Sequence, residues 1–238
     1  MIEVLKDKKF LVVGGSSGLG FATAKCALER GARVTIASND QEKLNRAAGQ
    51  LADNVSTSLV DTRNEASVEA MFAAAGEFDH IVVSASSAKT GSVRRLPLAD
   101  AYAAMDSKFW GAYRVARAAR LAPGGSLTLI SGMLGRRPSA SSVLQGAINA
   151  ALEGLVRGLA LELAPVRVNA VSPGTIDTRV HSHLSADKRI AMIEDLQRRL
   201  PAGRIGQPEE VAQAILFLAA NSYVTATVVA VDGGSLIA

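Results

Sequence analysis

A single cysteine, Cys26, is all the thiol this 238-residue chain has. One thiol excludes an intrachain disulfide framework and fits a reducing compartment. It stands in FATAKCALER, a helical pattern where a small buried hydrophobe is expected rather than a nucleophile. Histidine is almost as scarce: His80, His181 and His183 share no ligand spacing, so no metal site is expected. Aromatic residues are only 4%, and the pairs Arg94-Arg95, Arg136-Arg137 and Arg198-Arg199 stand apart without aromatic interleaving. The net charge of +4 therefore reads as a solvated surface, and no nucleic-acid partner is expected. No run approaches the ~20 apolar residues needed to span a bilayer, and no charged segment leads into an apolar one at the start. The expectation is a cytoplasmic protein without a membrane partner.

What is present is apolar and alternating. Hydrophobic residues make up 48% and charged residues 20%, enough for one large core, and no linker or fixed repeat interrupts residues 1–238. Short apolar runs (KFLVVG, ARVTIAS, STSLVD, HIVVSAS, GSLTLIS, VRVNAVS, TATVVAVD) alternate with longer helical patterns. The helices include DQEKLNRAAGQLA, with Asp40 as N-cap, a long one around ADAYAAMDSKFWGAYRVARAARLA, and a second long one from about Ser142 to Ala164. Such alternation implies an α/β, Rossmann-type fold: a doubly wound parallel sheet of about seven strands with helices on both faces. Ligands then belong at the carboxyl ends of the strands.

The first strand ends in VVGGSSGLG. Gly14, Gly18 and Gly20 permit a tight turn, let backbone approach a pyrophosphate, and leave helix N–H groups facing an anion. Ser16 and Ser17 add donors, and the turn's place directly after the first strand favours a nucleotide over an ordinary strand–helix turn.

With these residues the chain resembles the short-chain dehydrogenase/reductase family, over nearly its whole length. The family opens with T-G-x-x-x-G-x-G; here Val13 stands for the threonine, and Leu19 falls inside the turn. Asp61, with Thr62, matches the adenine-binding aspartate after the third strand, and Ala85 follows the fourth. RVNAVSPGTIDT places Asn169, Pro173, Gly174, Ile176 and Thr178 where the family holds the nicotinamide amide and nearby phosphates. The ending PEEVAQAILFLAA…VDGG is also similar, with Thr225-Ala226 in place of T-G. At the end of the second strand stands Ser38, not the carboxylate that accepts from an NAD ribose, so nothing there repels a 2′-phosphate. The usual NADP-selecting arginine falls at Asn39. NADP(H) is the expected cofactor and NAD(H) the alternative, unless these residues serve only as turn formers and caps.

The resemblance breaks at the reaction centre. The family's Tyr-x-x-x-Lys positions hold Gln145 and Asn149, its serine position holds Gly132 beside Ser131, and its asparagine position holds Lys108. Glutamine exchanges no proton near neutral pH, so one reading is a nucleotide-binding protein without turnover, a redox sensor or partner subunit. The other starts from Lys108 and Asn149, which carry the family's Asn and Lys in reversed places. If these positions face each other as the family fold implies, the site keeps an ammonium group. Lys108 is then a candidate general acid, Gln145 and Asn149 orient the substrate and cofactor, and Ser131 assists. The product is a short-chain oxidoreductase acting on a small carbonyl, imine or activated alkene. Non-redox chemistry such as dehydration is a third reading.

Tyr102 and Tyr113 are expected to pack, and Ser139, Ser141 and Ser142 to cap or precede the second long helix. Gly154 and Gly158, four apart on that helix, suggest close contact with another helix. The resemblance implies a homo-oligomer, dimer or tetramer. Residues 179–207 read as a lid over a small-molecule substrate, with an amphipathic helix in IAMIEDLQRRL.

Overall fold

Short, largely apolar runs build the centre of the molecule. In the computed structural model, which describes residues 5–51, 55–87, 89–178 and 186–238, β1 (Lys9–Val13) buries Phe10, Leu11, Val12 and Val13 completely. Burial on both faces is what an uninterrupted apolar strand demands, at about 1.5–3 kcal/mol per large side chain. Around it lie β2 (Arg33–Ser38), β3 (Val55–Leu59), β4 (Phe78–Val83), β5 (Leu121–Ile130), β6 (Arg167–Pro173) and β7 (Val228–Val231). All seven are parallel, in the order β3-β2-β1-β4-β5-β6-β7. The order reverses between β1 and β4, the place where open parallel sheets leave a crevice for a ligand. The expected Rossmann-type architecture is the observed one.

The helices are α1 (Gly18–Leu28), α2 (Gln41–Ala48), α3 (Glu65–Ala75), α4 (Leu98–Met105), α5 (Gly111–Ala118), α6 (Val143–Glu162), α7 (Ala186–Arg199) and α8 (Pro208–Ala220). Two apolar clusters fill the two faces of the sheet. One joins α3, α5 and α6 to β4, β5 and β6 through residues such as Phe72, Val115, Leu127 and Leu152. The other joins α1, α2 and α8 to β1 and β2 through Phe10, Ile36, Leu44 and Ile215. Cys26 is buried in the second, where desolvation raises its thiol pKa. Asp40 caps α2 as expected, accepting from Lys43 N at 3.0 Å. His80 is buried with its Nδ1 2.8 Å from Ser126 Oγ; burial pushes its pKa down to about 4, so it is neutral and structural. His181 and His183, with the rest of 179–185, lie outside the described residues.

Two boundaries differ from the sequence expectation. The first long helix is not one helix: a π-helical turn, Asp106–Trp110, separates α4 from α5, and Gly111 N–H reaches back to Asp106 O. It also ends at Ala118, and β5 begins already at Leu121 rather than Gly125, with an irregular register between Phe78 and His80. Ala226, where the resemblance expects glycine, adopts φ 57° and donates its N–H to Val168 O at 2.8 Å. A side chain in this left-handed region carries roughly 1–2 kcal/mol of strain. Ala226→Gly is expected to stabilise the protein by about 1 kcal/mol net of the glycine's greater chain entropy, read as a higher urea midpoint at unchanged slope. No gain would mean that the neighbouring backbone already absorbs the strain.

Candidate active site

Two glycines of the glycine-rich turn have a steric reason. Gly14 has φ 87°, and a Cβ there would sit 2.5 Å from Ala85 N, so the turn after β1 lies directly on the end of β4. A Cβ on Gly20 would collide with the Gly14 carbonyl oxygen, so α1 can start this close to β1 only with glycine. Ser17 occupies the N-cap of α1, but its side chain makes no capping bond. The helix start therefore offers N–H groups and a hydroxyl to an anion. Ser16 Oγ donates to Ser38 Oγ at 3.1 Å, joining this turn to the end of β2. Thr178 Cγ2 lies 4.0 Å from where a Gly18 Cβ would stand, bringing the loop after β6 over the same opening. These residues form a cradle of backbone N–H groups and hydroxyls, the donor set a phosphate needs, and a Cβ on Gly14 or Gly20 would collide with its backbone.

Other expected cofactor residues differ in detail. Asp61 does not present a bare carboxylate: Arg63 donates to it from Nε at 2.9 Å, Nη2 at 2.8 Å and its backbone N at 3.0 Å. Those bonds hold the Asp61 pKa below the usual carboxylate range. Thr62 is buried against Gly111, and its carbonyl accepts from Arg114. Pro173 ends β6, and Gly174 packs on Asp232. Ile176 buries its side chain, bridging to Gly206, so it can meet a ligand only through its backbone. Asn169 is a correction. It is fully buried and spends its amide on Val224 O and Thr227 N, which fasten β6 beside β7.

Lys108 sits on the π-helical turn and points inward. Its Nζ donates to Ser131 O at 2.8 Å and to Asn149 Oδ1 at 2.6 Å. The reversed pair thus meets across the crevice. Burial of the ammonium pushes its pKa down to about 8. Gln145, one turn before Asn149 on α6, donates Nε2 to the same Asn149 Oδ1 at 3.4 Å. Gly132 has φ 151°, and a Cβ there would lie 2.8 Å from Asn149 Nδ2. The position where the resembled family carries serine is thus empty of side chain because Asn149 leans into it.

Comparison with known proteins fits this geometry. A family model described as enoyl-(acyl carrier protein) reductase matches residues 13–235. The chain is 34% identical to a 3-oxoacyl-(acyl-carrier-protein) reductase of Chlamydia muridarum, over 98% of this chain and 99% of that one. It belongs to the short-chain dehydrogenase/reductase family. A small-chain dehydrogenase solved in complex with NADPH is 38% identical, with a TM-score of 0.86 over 98% of this chain and all of that one. A short chain oxidoreductase of Pseudomonas aeruginosa, described as containing an atypical catalytic center, is 28% identical, with a TM-score of 0.87 over 97% of each chain. The protein is therefore an oxidoreductase of this family, built for a nicotinamide cofactor.

Several residues take places that the sequence did not suggest. Ser131 is 3% exposed, and its hydroxyl turns away from the crevice toward Glu153 Oε1 and Val171 O. It serves the site with its carbonyl, not with the hydroxyl the sequence suggested. Glu153 was not singled out by its motif; it continues the 145–149 face of α6 by one more turn. It is buried and accepts from Arg136 Nε at 3.0 Å, clamping the loop that carries Ser131 and Gly132. A lone carboxylate within AALEGLVRG was the signal available. Tyr102, expected to pack, is 72% exposed, and Tyr113 meets only the edge of Trp110 at 5.6 Å among the ring contacts. Ser142 does stand at the N-cap of α6 but makes no side-chain cap.

Proposed function

We propose that the chain is an NADP(H)-dependent oxidoreductase that moves hydride to or from a small carbonyl, imine or activated alkene at a tyrosine-free site, with Lys108 carrying the proton. The observation that carries this reading is the Lys108 ammonium held between Ser131 O and Asn149 Oδ1. Those two acceptors use two of its three N–H bonds, and no third protein partner occurs among the described residues. The free N–H is available to a substrate oxygen or nitrogen. The nicotinamide, when bound, supplies or accepts the hydride. Lys108 gives a proton to the heteroatom as negative charge develops there, and takes it back in the oxidative direction. A pKa near 8 leaves it mostly protonated at neutral pH while keeping the proton labile, which is where general acids work best. Asn149 and Ser131 O aim the ammonium, Gln145 lines the same opening, and the glycine turn fixes the nucleotide. Placement of both reactants supplies much of the rate. The test is NADPH consumption against ketones, diketones, quinones and imines; nucleotide binding without turnover of any of them would favour the sensor or partner-subunit reading.

NADP(H) is favoured over NAD(H) by the linked hydroxyls of Ser16 and Ser38, which can donate to a 2′-phosphate, and by the absence of a carboxylate at Ser38 and Asn39. The neighbour bound to NADPH supports the same choice. In a fluorescence titration NADPH is expected to bind about tenfold more tightly than NADH, the worth of one charge-assisted hydrogen bond. Tighter NADH binding would reverse the assignment.

A homo-oligomer, dimer or tetramer, belongs to the same proposal. A Cβ on Gly158 would meet nothing within 4 Å, and one on Gly154 only its own helix's Arg157, so the helix contact those glycines suggest is absent among the described residues. Trp110, Tyr113 and Leu161 are exposed on α5, α6 and the π turn. No helix among the described residues is long and apolar enough to cross a membrane, and the small-molecule, cytoplasmic setting is part of the proposal.

A further inference from the structure

The peptide between Ser131 and Gly132 is a free joint beside Lys108. Its carbonyl accepts from Lys108 Nζ at 2.8 Å. The residue that follows is glycine at φ 151°, so no side chain fixes the peptide plane. Ser131 N donates to Val171 O at 2.9 Å, which holds the end of β5 in register but leaves the carbonyl able to turn. Two further contacts take up that freedom, and both end on Glu153. Ser131 Oγ donates to Glu153 Oε1 at 3.3 Å, with Val171 O at 3.4 Å as its other acceptor. Beyond the glycine, Arg136 Nε donates to Glu153 Oε2 at 3.0 Å. One carboxylate thus grips the loop on both sides of the rotatable peptide. The Glu153 side chain is only 8% exposed, and its α6 neighbours Leu152 and Val156 belong to the apolar core. A buried ion pair adds little stability over apolar residues of the same shape, so a fixed geometry is what it contributes.

We infer that Glu153 is a positioning residue: with Arg136 it holds the Ser131 carbonyl in the direction that aims Lys108. This rests on the reading of Lys108 as the proton donor. Asn149 and Glu153 lie one turn apart on α6 and share a face. That face therefore supplies both acceptors of the ammonium, Asn149 directly and Ser131 O through Glu153. Glu153 moves no proton and acts only through Ser131. Neither acceptor of Lys108 is charged, and Asp106 on the same turn is taken by Arg114.

The titration of Lys108, followed by NMR of the lysine Cε carbons, tests this without turnover. Its signal is the one lost in Lys108→Met, and its wild-type midpoint is expected near pH 8. Ser131→Ala changes no charge and spares the carbonyl but cuts its link to Glu153. The freed carbonyl should hold the ammonium less well, lowering the proton affinity of Lys108 at least about threefold and moving the midpoint to lower pH. Glu153→Gln keeps the size but has one acceptor oxygen, so it cannot hold Ser131 and Arg136 together, and it should lose at least as much. The kcat for reduction should fall about tenfold in both variants with the KM for NADPH unchanged. Ser131→Ala should cause no further loss in a Lys108→Met background. A merely structural role would lower the unfolding temperature and leave the midpoint and kcat where they are. A midpoint unchanged or raised in either variant overturns the proposal. Full turnover in Lys108→Met would instead remove the proton-donor reading and leave the titration to judge Glu153.

Discussion

Lys108→Met is expected to lower hydride transfer at least about tenfold while leaving the fold and NADPH affinity in place. Methionine keeps the length and apolar stem of lysine but has no proton to give, and losses of a general acid start at about this size. The pH dependence gives a second, sharper signature. In the reductive direction the reactive form is the ammonium, so wild-type rates should be level below pH 8 and fall as pH rises through about 8. In the oxidative direction the neutral amine is required, and the rate should rise over the same interval. Both limbs should vanish in the variant, as followed by NADPH absorbance in single-turnover mixing. Unchanged turnover in Lys108→Met would remove lysine from the mechanism.

Gly20→Ala is the second large effect. The added methyl group has backbone on its far side, the Gly14 carbonyl, so no side chain can move out of its way. Either α1 shifts off β1 or the turn reopens, and both displace the helix start from the nucleotide phosphates. Overpacking of this sort costs roughly 2 kcal/mol of stability. NADPH affinity should fall by at least about tenfold as well, because the anion loses N–H donors rather than a single contact. Thermal unfolding and fluorescence titration of the same sample separate the two losses. A variant with normal affinity would show that α1 is not held where the glycine allows it.

The sheet, the order of its elements and the nucleotide turn could be read from sequence because each leaves a periodic or steric signature. Uninterrupted Val and Leu mark buried parallel strands, Gly14 and Gly20 mark a backbone too close for side chains, and Gly18 supplies a φ of 54°. Aligned substitutions also placed Lys108 and Asn149 opposite each other, although nothing in the local sequence orients either side chain. What stayed hidden depended on contacts between distant segments. The π-helical turn at Asp106–Trp110 has no residue pattern of its own; it arises where Gly111 fits against Thr62 and the Arg114–Asp106 pair ties the turn. The direction of the Ser131 hydroxyl was illegible for the same reason, since Glu153 decides it from 22 residues away. Asn169 looked like a cofactor residue because its motif is real, but its amide is consumed by the β7 connection.

The way Asn149 occupies the space above Gly132 limits how the site can change. A single change of Gly132 to serine would push a side chain into the Asn149 amide and force it into an unfavourable φ of 151°. A single change of Asn149 to lysine would bring a second ammonium against Lys108, whose hydrogen-bond partners among the described residues are both acceptors. Each of these single changes is therefore harmful unless another position changes with it. These positions are coupled, and the site can be remodelled only by concerted substitution, not one residue at a time.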